Sequence, residues 1–99
     1  MRFWITFRQE ALDDLESAIQ YFSKYPEFSE RFRLELDSRV EHLREFPEMH
    51  QKVYLMVRRM LLTRFSIAVY YIVHLETEMI EVIAVMDVRR DPKRWQTRL

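Results

Sequence analysis

The sequence predicts an α+β fold, and three observations predict it. Apolar residues recur with a strand's period at the start, a helix's period from Ala11 to Leu43, and a strand's period again from Val53 onward. Prolines at positions 26 and 47 cut the helical region in two and close it. Ninety-nine residues, 48% hydrophobic and 32% charged, suffice for one globular core, so a single domain over residues 1–99 is expected.

Residues 2–7, RFWITF, are aromatic and β-branched and too few for a helix, which makes them a first strand. Ala11, Leu12, Leu15, Ala18, Ile19 and Phe22 then recur at steps of three and four, the stripe of an amphipathic helix. Glu10, Asp13 and Asp14 suit its N-terminal end, and Pro26 sets its stop near Tyr25. A second helix is expected from about Glu27, with Phe28, Phe32, Leu36, Val40 and Leu43 on its apolar face. So short a connection implies an antiparallel helical hairpin whose stripes share one core.

The sheet that the hairpin needs follows it. Val53–Phe65 reads as one strand or two short ones, Ile67–His74 as another and Ile80–Met86 as a third, all consecutive and antiparallel. The segment LETE between the last two is a turn without glycine, which favours type I geometry in a four- or five-residue loop. In IAVYYIVH both alternating sets are apolar, so both faces of that strand are expected to be covered. DPKRWQTRL begins beside a proline and forms a short helix or an extended tail.

Composition removes several function classes. The chain has no cysteine, which excludes thiolate metal sites, disulfides and cysteine nucleophiles. It has no glycine, where roughly 7% is usual, and nucleotide-binding loops need glycine where backbone meets phosphate. No nucleotide cofactor, and indeed no cofactor, is expected. No apolar run approaches the roughly 20 residues that span a bilayer, and the N-terminus lacks a signal peptide's apolar stretch, so a cytoplasmic protein without membrane contact is expected.

Net charge is zero but unevenly spread. Residues 1–50 carry 7 basic and 11 acidic side chains, and residues 51–99 carry 9 and 5. Thirteen of the sixteen basic residues are arginine, whose planar fork suits phosphate and carboxylate. Arg58, Arg59, Arg64, Arg89, Arg90, Arg94 and Arg98 are the candidates for a cluster at one end of the sheet. Arg58 and Arg59 are adjacent on a strand, so they face opposite ways and cannot both join such a cluster unless a bulge intervenes. Beside the arginines, Tyr70, Tyr71 and Asp87 are the candidates for proton transfer. Asp87 has a simpler use, to orient a neighbouring arginine. Tyr70, Tyr71 and Trp95 either pack on the sheet or stack on bases, and packing is the commoner role. His42, His50 and His74 are not at metal-ligand spacing, and no metal site is expected.

ITFRQEALDDLESAIQYF, the helix end HLREFP, VRRMLLTRFSIAVYYIV and EVIAVMDVRRDPKRWQTR together resemble the RelE/ParE plasmid-stabilisation toxins, over nearly the whole chain. The specific part is an ordered combination: Arg59, Phe65, Tyr71, then Arg90, Asp91 and Pro92. The resemblance implies a helical hairpin on a small, mostly antiparallel sheet, and a cognate antitoxin protein as partner. It marks Arg59, Phe65, Tyr71, Asp87, Arg89, Arg90, Pro92 and Trp95 as motif positions. Two departures matter: family members often carry Phe-Pro-Tyr where Phe65, Ser66 and Ile67 stand, and often histidine where Asp87 stands.

Three activities are compatible with the resemblance. A ParE-like toxin poisons DNA gyrase by protein-protein contact and needs no catalytic base. A RelE-like toxin cuts messenger RNA on the ribosome, with Arg59, Arg64, Tyr71 and Arg90 as the catalytic candidates. An inactive member only binds its antitoxin. The missing histidine and the neutral charge favour the first. Leu34 and Tyr21 are candidates for exposed apolar contacts with an antitoxin.

Overall fold

A computed structural model describes residues 2–99. Its order is β1 (Trp4–Phe7), α1 (Gln9–Phe22), α2 (Pro26–Glu45), β2 (Lys52–Tyr54), β3 (Val57–Leu62), a 3₁₀ turn (Thr63–Phe65), β4 (Ile67–His74), β5 (Met79–Asp87) and α3 (Lys93–Gln96). The expected stretch Val53–Phe65 is two strands, joined at Leu55 and Met56 and closed by the 3₁₀ turn. The five strands form one sheet in the order β1-β5-β4-β3-β2. β1 runs parallel to β5 and every other pairing is antiparallel. This is the predicted α+β class, with β1 brought back by the helical hairpin to the far side of the last strand.

The first helix stops at Phe22, short of the expected Tyr25. Pro26 is not the breaker of α1 but the first residue of α2, where its fixed φ and missing N–H suit a helix start. Ser23–Tyr25 therefore form the link, with the Tyr25 N–H bonded to the Phe22 carbonyl at 2.8 Å. The stripe of α1 is narrower than its sequence suggests. Ala11, Leu15, Ala18 and Phe22 face the core, while Leu12 and Ile19 stay nearly half exposed. On α2, Phe32, Leu36, Val40 and Leu43 pack inward, but Phe28 lies half exposed.

Both faces of β4 are covered, as its two apolar sets demand. Ile67, Val69, Tyr71 and Val73 pack under the helices with Met60, Leu62, Ile80, Val82 and Val85. Ala68 and Tyr70 pack on the opposite face with Val57, Ile83, Ala84 and Trp95 of α3. Buried area of this kind stabilises by about 25 cal/mol per Å² of apolar surface. The second face has only α3 as cover, so Trp95 carries much of it: its ring stacks on Tyr70 at 4.3 Å and meets Tyr54 edge-on at 5.9 Å.

The chain has no glycine, and three positions take the left-handed backbone regardless: Leu55 (φ 51), Ser66 (φ 54) and Glu78 (φ 53). Each ends or makes a turn at a strand terminus. LETE forms the four-residue β4–β5 loop, with Glu78 donating to the Leu75 carbonyl at 3.3 Å. Among the described residues, no helix is long and apolar enough to cross a membrane.

Candidate functional site

A cleft of about 930 Å³ opens where β5 ends and β4 begins, between α1 and the segment after β5. Strand length creates it. β1 covers β5 only to Val82, where the Arg8 N–H donates to the Val82 carbonyl at 3.0 Å. β5 runs on to Asp87 with that edge uncovered, and buried edge groups must find partners elsewhere. At the same place β5 bulges: Tyr70 pairs with Ala84 and Tyr71 with Val82, which leaves Ile83 unmatched.

Asp14 of α1 and Arg98 of the tail stand in for the missing strand. The Asp14 carboxylate accepts the Val85 N–H at 3.0 Å, and Arg98 donates to the Ile83 carbonyl at 2.9 Å. The two side chains, 17% and 16% exposed, also clasp each other through bonds of 2.6 and 3.1 Å. That carboxylate holds the Arg98 guanidinium above its ordinary pKa. Arg8 completes the anchor by donating to the Arg98 carbonyl and to Glu81, each at 2.6 Å.

The cleft has two walls. Arg64 from the 3₁₀ turn, Arg89 and Arg90 from the loop after β5, and Arg94 and Arg98 from the tail make the basic one. Tyr21, Phe22, Tyr25 and Phe28 make the aromatic one. Phe65 bridges them, its ring 5.4 Å from Phe22 and 5.3 Å from Phe32. The left-handed Ser66 turns the chain between Arg64 and β4.

Asp87 is committed to Arg89. It accepts from the Arg89 backbone N–H at 2.8 Å, from Nε at 2.9 Å and from Nη2 at 2.6 Å. These bonds to Arg89 hold its carboxyl at a pKa of about 2. With Arg89 and Arg98 engaged, Arg64, Arg90 and Arg94 are the cleft arginines with no ion pair among the described residues.

Of the positions expected to act, Arg64, Phe65, Asp87, Arg89 and Arg90 line this cleft and Arg59, Tyr71, Pro92 and Trp95 do not. Arg59 is exposed on the α3 face of β3, opposite Tyr70. Arg58 points the other way and binds the carbonyls of Glu48 and His50 at 3.0 and 2.6 Å, pinning the loop before β2. Tyr71 is fully buried, its hydroxyl donating to the Pro47 carbonyl at 3.0 Å. Burial pushes that hydroxyl up to about 12. Pro92 caps α3 and Trp95 packs on the sheet. Among the described residues, no group of histidines and carboxylates is placed to hold a metal.

Asp14, Tyr21, Tyr25 and Phe28 are among the cleft residues that sequence reasoning did not assign there. Tyr21 and Tyr25 are one helical turn apart and run past the end of α1, a signal that they belong to its rim. Asp14 stands between core positions Ala11 and Leu15, an acid close to an apolar stripe.

The arrangement sets uncommitted guanidinium groups beside exposed aromatic rings, and its own carboxylates are occupied. The family model described as the ParE toxin of type II toxin-antitoxin systems, parDE, matches residues 5–92. No curated protein matches the sequence significantly. Among solved structures, an arginine-to-alanine double mutant of E. coli toxin RelE in the free state superposes with a TM-score of 0.65 at 18% identity, over 90% of this chain and 86% of that one. The intact E. coli RelBE toxin-antitoxin complex gives 0.65 at 16%, over 89% and 99%. The isolated E. coli RelE toxin gives 0.63 at 15%, over 96% and 94%. At such identities the likeness is one of fold, whereas the family match spans most of the sequence. The chain belongs to the ParE toxin family of type II toxin-antitoxin systems, within the RelE/ParE superfamily.

Proposed function

We propose that this toxin is ParE-like: it poisons DNA gyrase in the cytoplasm by protein-protein contact, without chemistry of its own, and a cognate antitoxin protein neutralises it. The observation that carries the reading is the state of the cleft's ionisable groups. Cleavage of RNA through its 2'-hydroxyl needs a positioned group that exchanges protons near neutral pH. In the cleft, Asp87 titrates at about 2 and is bonded to Arg89, and both oxygens of Asp14 are engaged. No histidine lines it among the described residues. Tyr71, the phenol marked by the family pattern, is fully buried, its hydroxyl bonded to the Pro47 carbonyl.

Three unpaired arginines facing exposed aromatics suit a protein surface instead, since arginine and aromatic residues dominate the energetic centres of interfaces. The antitoxin follows from the family, and one of the structurally similar proteins is a toxin-antitoxin complex.

The test is to induce the chain without an antitoxin and pulse-label DNA and protein synthesis in the first minutes. DNA synthesis is expected to fail first. Failure of protein synthesis first would overturn the gyrase reading in favour of messenger RNA cleavage on the ribosome. Growth unaffected by either would mark an inactive antitoxin-binding member.

A further inference from the structure

The opposite end of the sheet carries a second, chemically different surface. β4 runs away from the cleft to His74, and Trp4, Met79 and His74 lie side by side in register there. The β2–β3 turn reaches the same end, because Val57, which follows it, pairs with Ile72. Two hairpin tips and the start of β1 therefore lie at one end of the sheet. Their apolar residues are strongly exposed: Leu55 at 70%, Trp4 at 67%, Leu75 at 58% and Met56 at 57%. Soluble monomers seldom gather large apolar side chains in this way without a partner for them.

Leu55 makes the case sharper. It takes the left-handed region at φ 51, which glycine or asparagine occupies at far less strain. Among the described residues it is the most exposed of the large hydrophobic ones, so the core does not require it. A leucine held there contributes little to this fold and works against its backbone.

We propose that this end is a self-association surface, on which a second copy of this chain docks about a two-fold axis. The charges beside the apolar tips select that occupant. Glu76 and Glu78 flank the β4–β5 tip and Lys52 the β2–β3 tip, and none has an ion-pair partner among the described residues. A two-fold interface sets one patch against itself and so needs both signs within the patch. Here Lys52 of each copy meets Glu76 and Glu78 of the other, with Leu55, Met56 and Leu75 between them and Trp4 at the rim. A partner of a single charge sign would match only one tip. The eight residues of β4 set this surface roughly 25 Å from the cleft, so the dimer leaves both clefts open. The proposal does not rest on gyrase being the target.

Sedimentation of the purified full-length chain over a concentration series tests it. The expected result is a monomer-dimer equilibrium that Leu55→Gly with Leu75→Asn weakens by about tenfold or more. Leu55→Gly also relieves the left-handed strain, so the variant should melt no lower than the parent, which separates lost contact from lost fold. Lys52→Glu alone and the pair Glu76→Lys, Glu78→Lys alone should each weaken the dimer, and mixing the two variants should restore a heterodimer. A chain that stays monomeric at every concentration overturns the proposal. So does a dimer that these variants leave unchanged, or a monomer that uses Leu55 to capture a gyrase subunit or an antitoxin.

Discussion

Arg98 and Arg90 sit on the same short C-terminal segment and line the same cleft, yet their surroundings make them opposites. Arg98 is 16% exposed and satisfies the Ile83 carbonyl and both oxygens of Asp14. Arg90 is exposed and bonds to no acid among the described residues. Arg58 belongs with the first, since it holds two carbonyls of the loop before β2. Arg64 and Arg94 belong with the second. An arginine that replaces missing backbone partners is part of the fold, and one left unpaired at a cleft's rim is available to another molecule. Arginine content alone does not distinguish them; the backbone carbonyls and carboxylates within their reach do.

The largest break comes from removing what holds the whole segment down. Trp95 is 4% exposed, and Trp95→Ala should lower stability by about 3–5 kcal/mol in urea denaturation. Next is the clasp itself. Asp14→Ala leaves the Val85 N–H and Arg98 without their acceptor, and should cost about 3 kcal/mol. Arg98→Ala should cost a similar amount, and the double variant much less than the sum, because the two side chains act as one unit. Additive losses would show that the clasp contributes nothing beyond its separate backbone bonds.

How much of this was legible beforehand depends on the range of the signal. The alternation in Ile67–His74 identified both faces of β4, and the steps from Ala11 to Phe22 identified a helix, because both patterns are local. That Asp87 orients an arginine follows from its nearness to Arg89 in the chain. The cleft is different. It exists because β1 stops opposite Val82 while β5 continues, and because Asp14 and Arg98 fill the gap. Nothing near Asp14 announces that Val85 will need an acceptor. Phe28 misled for the same reason: its spacing matches the core stripe, but it lines the cleft and stays half exposed.

A smaller effect has the opposite sign. Ser66 turns the chain from Arg64 into β4 at φ 54, and Ser66→Gly should raise stability by about 1 kcal/mol, measured by thermal melting. If it also reduces toxicity, the serine's stiffness positions Arg64.

Arg89 lies between the two groups, bonded to Asp87 but 79% exposed. The folded pKa of Asp87, about 2 against 3.8, is depressed, so its contribution is present above 3.8 and is lost as pH falls toward 2. Solvent screening at so exposed a partner keeps the contribution small. Asp87→Asn should flatten the acid limb of stability between those two values, and an unchanged limb would assign the acid sensitivity elsewhere.

The smallest effect on folding should accompany the largest on function. Arg64→Ala, Arg90→Ala and Arg94→Ala remove side chains with no ion pair among the described residues, so each should change stability by less than about 0.5 kcal/mol. On the proposed reading they weaken toxicity all the same, the triple variant most, because they are the cleft's uncommitted donors. Growth assays paired with melting curves separate the outcomes. Toxicity lost at constant stability makes these arginines the contact surface. Full toxicity in the triple variant moves the target's contact away from the cleft, and leaves Arg98 and Asp14 there only to finish a sheet whose first strand is too short.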